Sequence, residues 1–235
     1  MGKVGVKWLG HAAFVITSPG ERKIYVDPWL ENPLSPLKPG DIKDADIVLV
    51  THDHFDHIGN AADIVKSSPE AVLISQPETA QKLQSEMGVP SERVIFGGFG
   101  MNTGACTAVK GIQVIMVHAF HSSATANPCG YVLILEDGKK IYHAGDTGIF
   151  SDMKLIGELY PLDLALIPIG SCFTMDPYQA SKALSLLNPK RVIPMHFKTF
   201  PILVQDAGSF KELAKREAPG VEVIILEPGQ EYSFE

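Results

Sequence analysis

The chain opens on three short apolar runs, Lys3–Leu9, Ala13–Thr17 and Lys23–Asp27, separated by Gly10-His11 and by Ser18-Pro19-Gly20. Apolar runs of this length between turn-forming residues predict a meander of β-strands. Pro28, Pro33, Pro36 and Pro39 follow. Each fixes φ and removes a donor, so a long irregular loop is expected there. Ile47–Val50 is a compact apolar strand that runs straight into Thr51-His-Asp-His-Phe-Asp-His-Ile-Gly59. Helical patterns occupy Ala61–Ser67 and Glu78–Glu86, the second opened by Pro77 and ended by Gly88 and Pro90. Strands are predicted at Val72–Ile74, Val94–Phe96, Ile112–Val117, Tyr131–Leu135 and Lys140–His143, the last two joined by a hairpin at Glu136-Asp-Gly-Lys139. Gly97-Gly-Phe-Gly100 has neither the Lys-Ser/Thr ending nor the spacing of a phosphate loop and reads as a turn between strands. Further on, helices at Met153–Tyr160, Tyr178–Leu187 and Ser209–Glu217 alternate with strands at Leu164–Pro168, Arg191–Pro194 and Val221–Leu226.

Strand meanders with helices in both halves predict an α/β fold of two packed sheets with helices outside them. A plain doubly wound parallel sheet is the alternative, but short turns join consecutive strands too often for it. The 235 residues show no linker and no repeat, so one domain over 1–235 is expected.

Composition narrows the function classes. A net charge of -7 argues against a nucleic-acid surface, which needs clustered Lys and Arg. Cys106, Cys129 and Cys172 are odd in number and form no CxxC pair, so neither a disulfide framework nor a zinc knuckle is indicated. Reduced thiols, a start without a secretory pattern and the lack of a bilayer-length apolar run give a cytoplasmic expectation with no membrane partner. A small-molecule substrate is expected, and a homo-oligomer is left open.

The chemistry concentrates at His52-x-His54-x-Asp56-His57. Side chains alternate along extended backbone, so His52 and His54 can share one metal ion, and Asp56 and His57 can face a neighbouring one. Imidazole with carboxylate suits Zn, Mn or Fe rather than Ca or Mg alone. His118 and His121 lie at or just beyond one strand end, Asp146 follows another in His-Ala-Gly-Asp-Thr, and His196 follows a third. Any one of these alone is more often a turn or core residue. Their recurrence at strand ends is the signal.

These motifs resemble the metallo-β-lactamase superfamily. Gly10-His11, Ala119-Phe-His-Ser-Ser123, His143-Ala-Gly-Asp-Thr147, Pro168-Ile-Gly170 with Phe173-Thr-Met175, and Pro194-Met-His-Phe197 resemble more closely its UPF0173 metal-dependent hydrolase family. The resemblance implies an αββα sandwich, two mixed sheets with helices outside and a dinuclear site at one edge. It further implies that His52, His54 and His121 hold a first metal, and Asp56, His57 and His196 a second, with Asp146 bridging. His121 is preferred to His118 because Phe-His-Ser fits the family motif. Asp27, in Val26-Asp-Pro28, is placed by resemblance behind a ligand histidine, orienting it. Where the family often has Asp-Asn after Pro-Ile-Gly, this chain has Ser171-Cys172.

The activity so implied is hydrolysis. Two divalent transition-metal ions, zinc first and Mn, Fe or Ni as alternatives, activate a bridging hydroxide that attacks a lactone, phosphodiester or related ester. Asp56 is expected to orient the hydroxide, and His11 to act as an acid beside the metals or else to be a packed residue. His143 reads as a buried supporting residue, and Cys172 as a small buried or rim residue rather than a nucleophile. A diiron redox protein is the rival reading, but its relatives carry Glu where Asp53 stands. A metal-binding module without catalysis is the other, and the full ligand set argues against it.

Overall fold

The computed structural model describes residues 2–235. Strands β1 (Val4–Trp8), β2 (Phe14–Thr17) and β3 (Lys23–Val26) form the antiparallel meander, and β4 (Ile47–Leu49) and β5 (Val72–Ile74) extend it in parallel. The carboxyl-terminal strand β13 (Glu231–Phe234) pairs antiparallel with β1, completing a sheet of order β13-β1-β2-β3-β4-β5. The second sheet repeats the plan. β6 (Cys106–Val109), β7 (Ile112–His118), β8 (Cys129–Ile134) and β9 (Lys140–His143) run antiparallel, and β10 (Leu164–Pro168), β11 (Arg191–Met195) and β12 (Glu222–Val223) continue in parallel.

Helices cover the outer faces. α1 (Phe55–Ile58), α2 (Ala61–Ser67) and α3 (Pro77–Ser85) belong to the first half; α4 (Met153–Leu159), α5 (Pro177–Leu187) and α6 (Gly208–Glu217) belong to the second. The period of two along β4 shows how the layers form. Ile47 and Leu49 join a core shared with the second sheet, whereas Val48 and Val50 join a separate cluster with Ala61, Ile64 and Leu83 of α2 and α3. The first sheet is therefore buried on both sides, which is why β4 reads as a continuous apolar run. No helix among the described residues is long and apolar enough to cross a membrane.

Three expectations differ from the structure. Val94–Phe96 is not a strand: Val94 makes one isolated bridge to Leu73, and Ile95–Gly98 is a 3-10 turn with Phe96 and Gly97 left-handed. The turn expected at Gly97–Gly100 thus begins earlier and has no strand before it. Val221–Leu226 is strand only over Glu222–Val223, and the pairing with β11 ends where the Ile224 N–H donates to Val192 O (2.9 Å). The edge strands β6 and β13 carry alternating exposed residues and no continuous apolar run, and no strand is predicted at either.

The core contains one unusual group. Tyr142 is fully buried and its hydroxyl has no hydrogen-bond partner, while Tyr131 donates to Val50 O (2.8 Å), with Ile74 O 3.1 Å away. Burial pushes the Tyr142 phenol pKa up. An unpaired buried hydroxyl costs about 1–3 kcal/mol. Tyr142→Phe is accordingly expected to raise the denaturant midpoint with an unchanged m value. A lowered midpoint would show that the hydroxyl is satisfied by a partner such as an internal water.

Candidate metal centre

The carboxyl ends of β1, β4, β7, β9 and β11 all point to one edge of the sandwich, because each is related to its companions in the same sheet by parallel pairing or an even number of antiparallel steps. The residues after those ends converge. His52, His54 and His121 bring ligand atoms within 4.8 Å of one another, as do His11, Asp56, His57 and His196, and also His52, His57 and Asp146. All seven expected ligands thus fall in one linked cluster. His118 does not: it is exposed, with its ring edge-on to Phe150.

Hydrogen bonds between the sheets help to close this edge. The Cys129 N–H donates to Thr51 O (3.1 Å), and Tyr131 Oη donates to Val50 O (2.8 Å). Cys129 is wholly buried, and burial raises its thiol pKa to about 12, so it is a packing residue. Cys172, expected to be buried or at a rim, is exposed.

Local backbone geometry aims the ligands. His11, Asp27 and His196 are non-glycine residues with φ of 53°, 46° and 57°. L-residues rarely take such values, and they persist only where the surroundings hold them. A Cβ on Gly170 would stand 2.0 Å from His196 O, so glycine there is what lets β10 and β11 approach at the site. Gly145, with φ 62°, turns the chain between β9 and Asp146. His143 braces that turn: its buried ring accepts from the Gly145 N–H (3.1 Å) and donates to Ala12 O (2.9 Å). Both nitrogens are thereby used within the protein.

The outer partners fix which nitrogen faces inward. Asp27 accepts from the Thr51 N–H (2.8 Å), Thr51 Oγ1 (2.7 Å) and His57 Nδ1 (2.7 Å). The Thr51 hydroxyl gives its proton to Asp27, so at 3.0 Å it accepts from His52 Nδ1. His52 and His57 are therefore held with Nε2 towards the cluster, as supported metal ligands usually are. Asp53 supports His121 at one remove. Its carboxylate accepts from Ser123 Oγ (2.6 Å), the Ala124 N–H (2.8 Å) and Lys82 (3.0 Å), pinning the loop after His121. Burial opposes ionisation of Asp53, but these donors outweigh it and hold the carboxyl well below the usual range.

Electrostatics follow from the crowding. Burial, and then the charge of His57, push His52 down to about 3, leaving a neutral imidazole. Burial also disfavours charge on His57, but Asp146 and Asp27 on either side overcome it and raise its pKa well above the ordinary value. Burial likewise opposes ionisation of Asp56, which the His11 hydrogen bond and His57 outweigh, so Asp56 stays well below the carboxylate range.

His11 is expected to be either an acid beside the metals or a packed residue, and its surroundings are those of a packed one. The ring is completely buried, with Nε2 3.0 Å from Asp56 Oδ2 and Nδ1 3.0 Å from Thr199 Oγ1. Burial, foremost, holds its pKa down at about 4, so the ring is neutral and its Nε2–H donates to Asp56 while Thr199 donates to Nδ1. The left-handed φ at His11 turns the side chain inward beneath Asp56 rather than outward. Thr51, Asp53 and Thr199 are given no supporting role by the sequence reading. The first two sit inside the histidine motif and were open to suspicion on that ground, whereas Thr199 has no local signal.

The site also fits metal ions on its own evidence. His57 Nε2, His196 Nε2 and Asp146 Oδ1 are buried without a hydrogen-bond partner. His57 Nε2 and His196 Nε2 lie 3.2 and 3.0 Å from Asp146 Oδ2, close enough for an ion pair but misaligned for a hydrogen bond. Two imidazole nitrogens and a carboxylate oxygen left without partners at one point are costly in a protein interior unless a cation takes them up.

Comparison with known proteins agrees. Residues 22–197 match the model of the beta-lactamase superfamily domain, and the two mixed sheets with outer helices are the metallo-β-lactamase fold. A UPF0173 metal-dependent hydrolase of Caldivirga maquilingensis is 45% identical over 225 residues, covering 95% of each chain. One from Thermococcus kodakarensis is 46% identical over 235 residues, 97% of this chain and 98% of that protein. The solved structure of Igni18, a metallo hydrolase from the archaeon Ignicoccus hospitalis, superposes with a TM-score of 0.89 at 37% identity over 99% of both chains. The chain belongs to the UPF0173 metal-dependent hydrolase family and is a metal-dependent hydrolase.

Proposed function

We propose that residues 1–235 form one hydrolase domain that cleaves an ester-type bond, a lactone, phosphodiester or related small-molecule ester, with two metal ions. The observation that carries the dinuclear reading is the pair of ligand groups on either side of Asp146. His52, His54 and His121 form one, and Asp56, His57 and His196, with His11 packed beside them, the other. Two divalent transition metals held there, zinc first and Mn, Fe or Ni as alternatives, would lower the pKa of a water towards about 7 and polarise the bond it attacks.

The chain's own residues do the rest. Asp56 lines the open cavity and is ionised at neutral pH, so it can accept a hydrogen bond from an attacking water and orient it. Asp27 and Thr51 keep His57 and His52 in the ligating tautomer. Asp53 keeps the His121 loop in place. His11 acts through Asp56, holding its carboxylate by a hydrogen bond.

Metal analysis tests this reading, with about two ions per chain expected after reconstitution. Proton release gives a second readout. The His57 pKa is raised in the metal-free protein, so the ring is protonated at pH 7 and must lose that proton to become a ligand. Metal titration by calorimetry in buffers of different ionisation enthalpy is expected to show release of about one proton or more per chain. The same charged ring stabilises the metal-free fold at pH values below its raised pKa, and that contribution fades as pH climbs through it. Metal binding with no proton released at neutral pH would count against a charged His57 in the metal-free protein.

A further inference from the structure

The cavity beside the cluster has a volume of about 500 Å³, with Asp56, Asp146 and His196 on one side. Phe55, Phe173, Phe200 and Ile202 make most of the remaining wall, and no lysine or arginine lines it. Lys82 is spent on Asp53, and Lys198 on Glu227. Phe55, Phe173 and Ile202 are 66%, 55% and 62% exposed, so large apolar side chains left open to solvent gather at this mouth. An exposed apolar patch that is continuous with polar site residues marks a binding surface.

Part of that wall is fixed before anything binds. The Phe200 ring stacks on Trp29 with centroids 5.7 Å apart and 25° between planes, and Phe55 meets the same buried indole edge-on at 5.5 Å. A wall already ordered avoids most of the entropy cost of fixing side chains on binding. Phe173 is carried on a tight loop in which Ser171 and Cys172 have φ of 63° and 54°, and the Ser171 N–H donates to Met175 O (3.0 Å).

We propose that the substrate is an uncharged carboxylic ester or lactone whose apolar chain or ring lies against Phe55, Phe173, Phe200 and Ile202. This rests on the hydrolase reading above and narrows its substrate class. A phosphodiester or a sugar phosphate brings a permanent negative charge. Proteins usually meet such groups with the forked guanidinium of Arg or with Lys, and here the wall offers neither, so the metals alone would have to hold the charge. An apolar acyl or ring portion gains from burial instead, at roughly two- to fourfold in affinity per methylene.

γ-Decalactone and γ-butyrolactone differ only by a hexyl chain and separate the effects. Titration of the metal-free protein by ligand-observed NMR is expected to show saturable binding of γ-decalactone, tighter than γ-butyrolactone by on the order of tenfold or more. In a Phe173→Ser/Ile202→Ser variant, checked for folding by circular dichroism, that advantage is expected to collapse. With metals restored, kcat/KM is expected to favour the long lactone by a similar factor and to lose the preference in the variant. Chain-dependent binding without turnover of any ester or lactone counts against hydrolysis while keeping the apolar site. Equal binding of both lactones, or faster turnover of the anionic diester methyl p-nitrophenyl phosphate, overturns the proposal. So does a dimer, seen by light scattering, that the variant converts to monomer with lactone binding unchanged, because the face then belongs to a second copy.

Discussion

His121→Ala is expected to lose one metal and nearly all turnover, whereas His118→Ala keeps both. The two histidines lie three residues apart at the end of β7, and either can be imagined at the site from sequence. In the structure they diverge. His118 is the last residue of β7, exposed and edge-on to Phe150, while the chain beyond it bends and His121 enters the group with His52 and His54. Its ring is 3.6 Å from Asp146 at Nε2 and 5.1 Å by centroid from both His52 and His54. Removing it leaves the first group with two imidazoles. Loss of a hydrogen-bond partner behind a ligand typically costs 10- to 100-fold in metal affinity or activity, and loss of the ligand itself is expected to exceed that. Metal analysis after dialysis, alongside turnover, checks the pair. The reverse pattern would mean that His118 moves inward on metal binding and that the third ligand is wrongly assigned.

Much of the site's plan was readable because it follows strand ends. Ile47–Val50 announces itself as a buried strand, and a run of ligand-type residues straight after it has to lie at a sheet edge. Gly145 before Asp146 marks a turn for a steric reason that sequence can express. The remainder depends on contacts between distant segments. The Thr199 hydroxyl reaches His11 across 188 positions, and the Asp53 carboxylate reaches Ser123 across 70, so no local pattern encodes either. The left-handed φ at His11, Asp27 and His196 is hidden likewise, since aspartate and histidine take such angles more often than most residues but still too rarely for a sequence to announce it. Edge strands fail for a related reason: β13 pairs on only one side and exposes Glu231 and Ser233, leaving a weak alternation to find. Val94–Phe96 misled in the opposite direction. Its three apolar residues suit a strand, yet the glycines after it allow a tight turn that ends the pairing at Val94.

The burial of His11 changes what its removal should do. A general acid open to the substrate, once deleted, costs roughly 10²- to 10⁴-fold in kcat with metals intact. A residue that holds Asp56 should act first on the metals. His11 Nε2 is 3.0 Å from Asp56 Oδ2, the ring packs at 3.8 Å by centroid on His196, and its backbone carbonyl accepts from the His196 N–H (2.9 Å) and from Trp8 Nε1 (2.9 Å). Two of the three ligands in the second group are therefore positioned by this one residue. His11→Ala is expected to weaken the second metal by about 10- to 100-fold, with turnover falling in step and partly recovering at high metal concentration. His11→Gln, whose amide N–H can still donate to Asp56, is expected to recover much of the lost affinity, a rescue that mere packing would not give. Retained metal affinity in His11→Ala together with a kcat loss of 10² or more would instead restore the acid role. Full activity in the same variant would reduce His11 to a packed side chain, and the left-handed turn that carries it would then need another reason to exist.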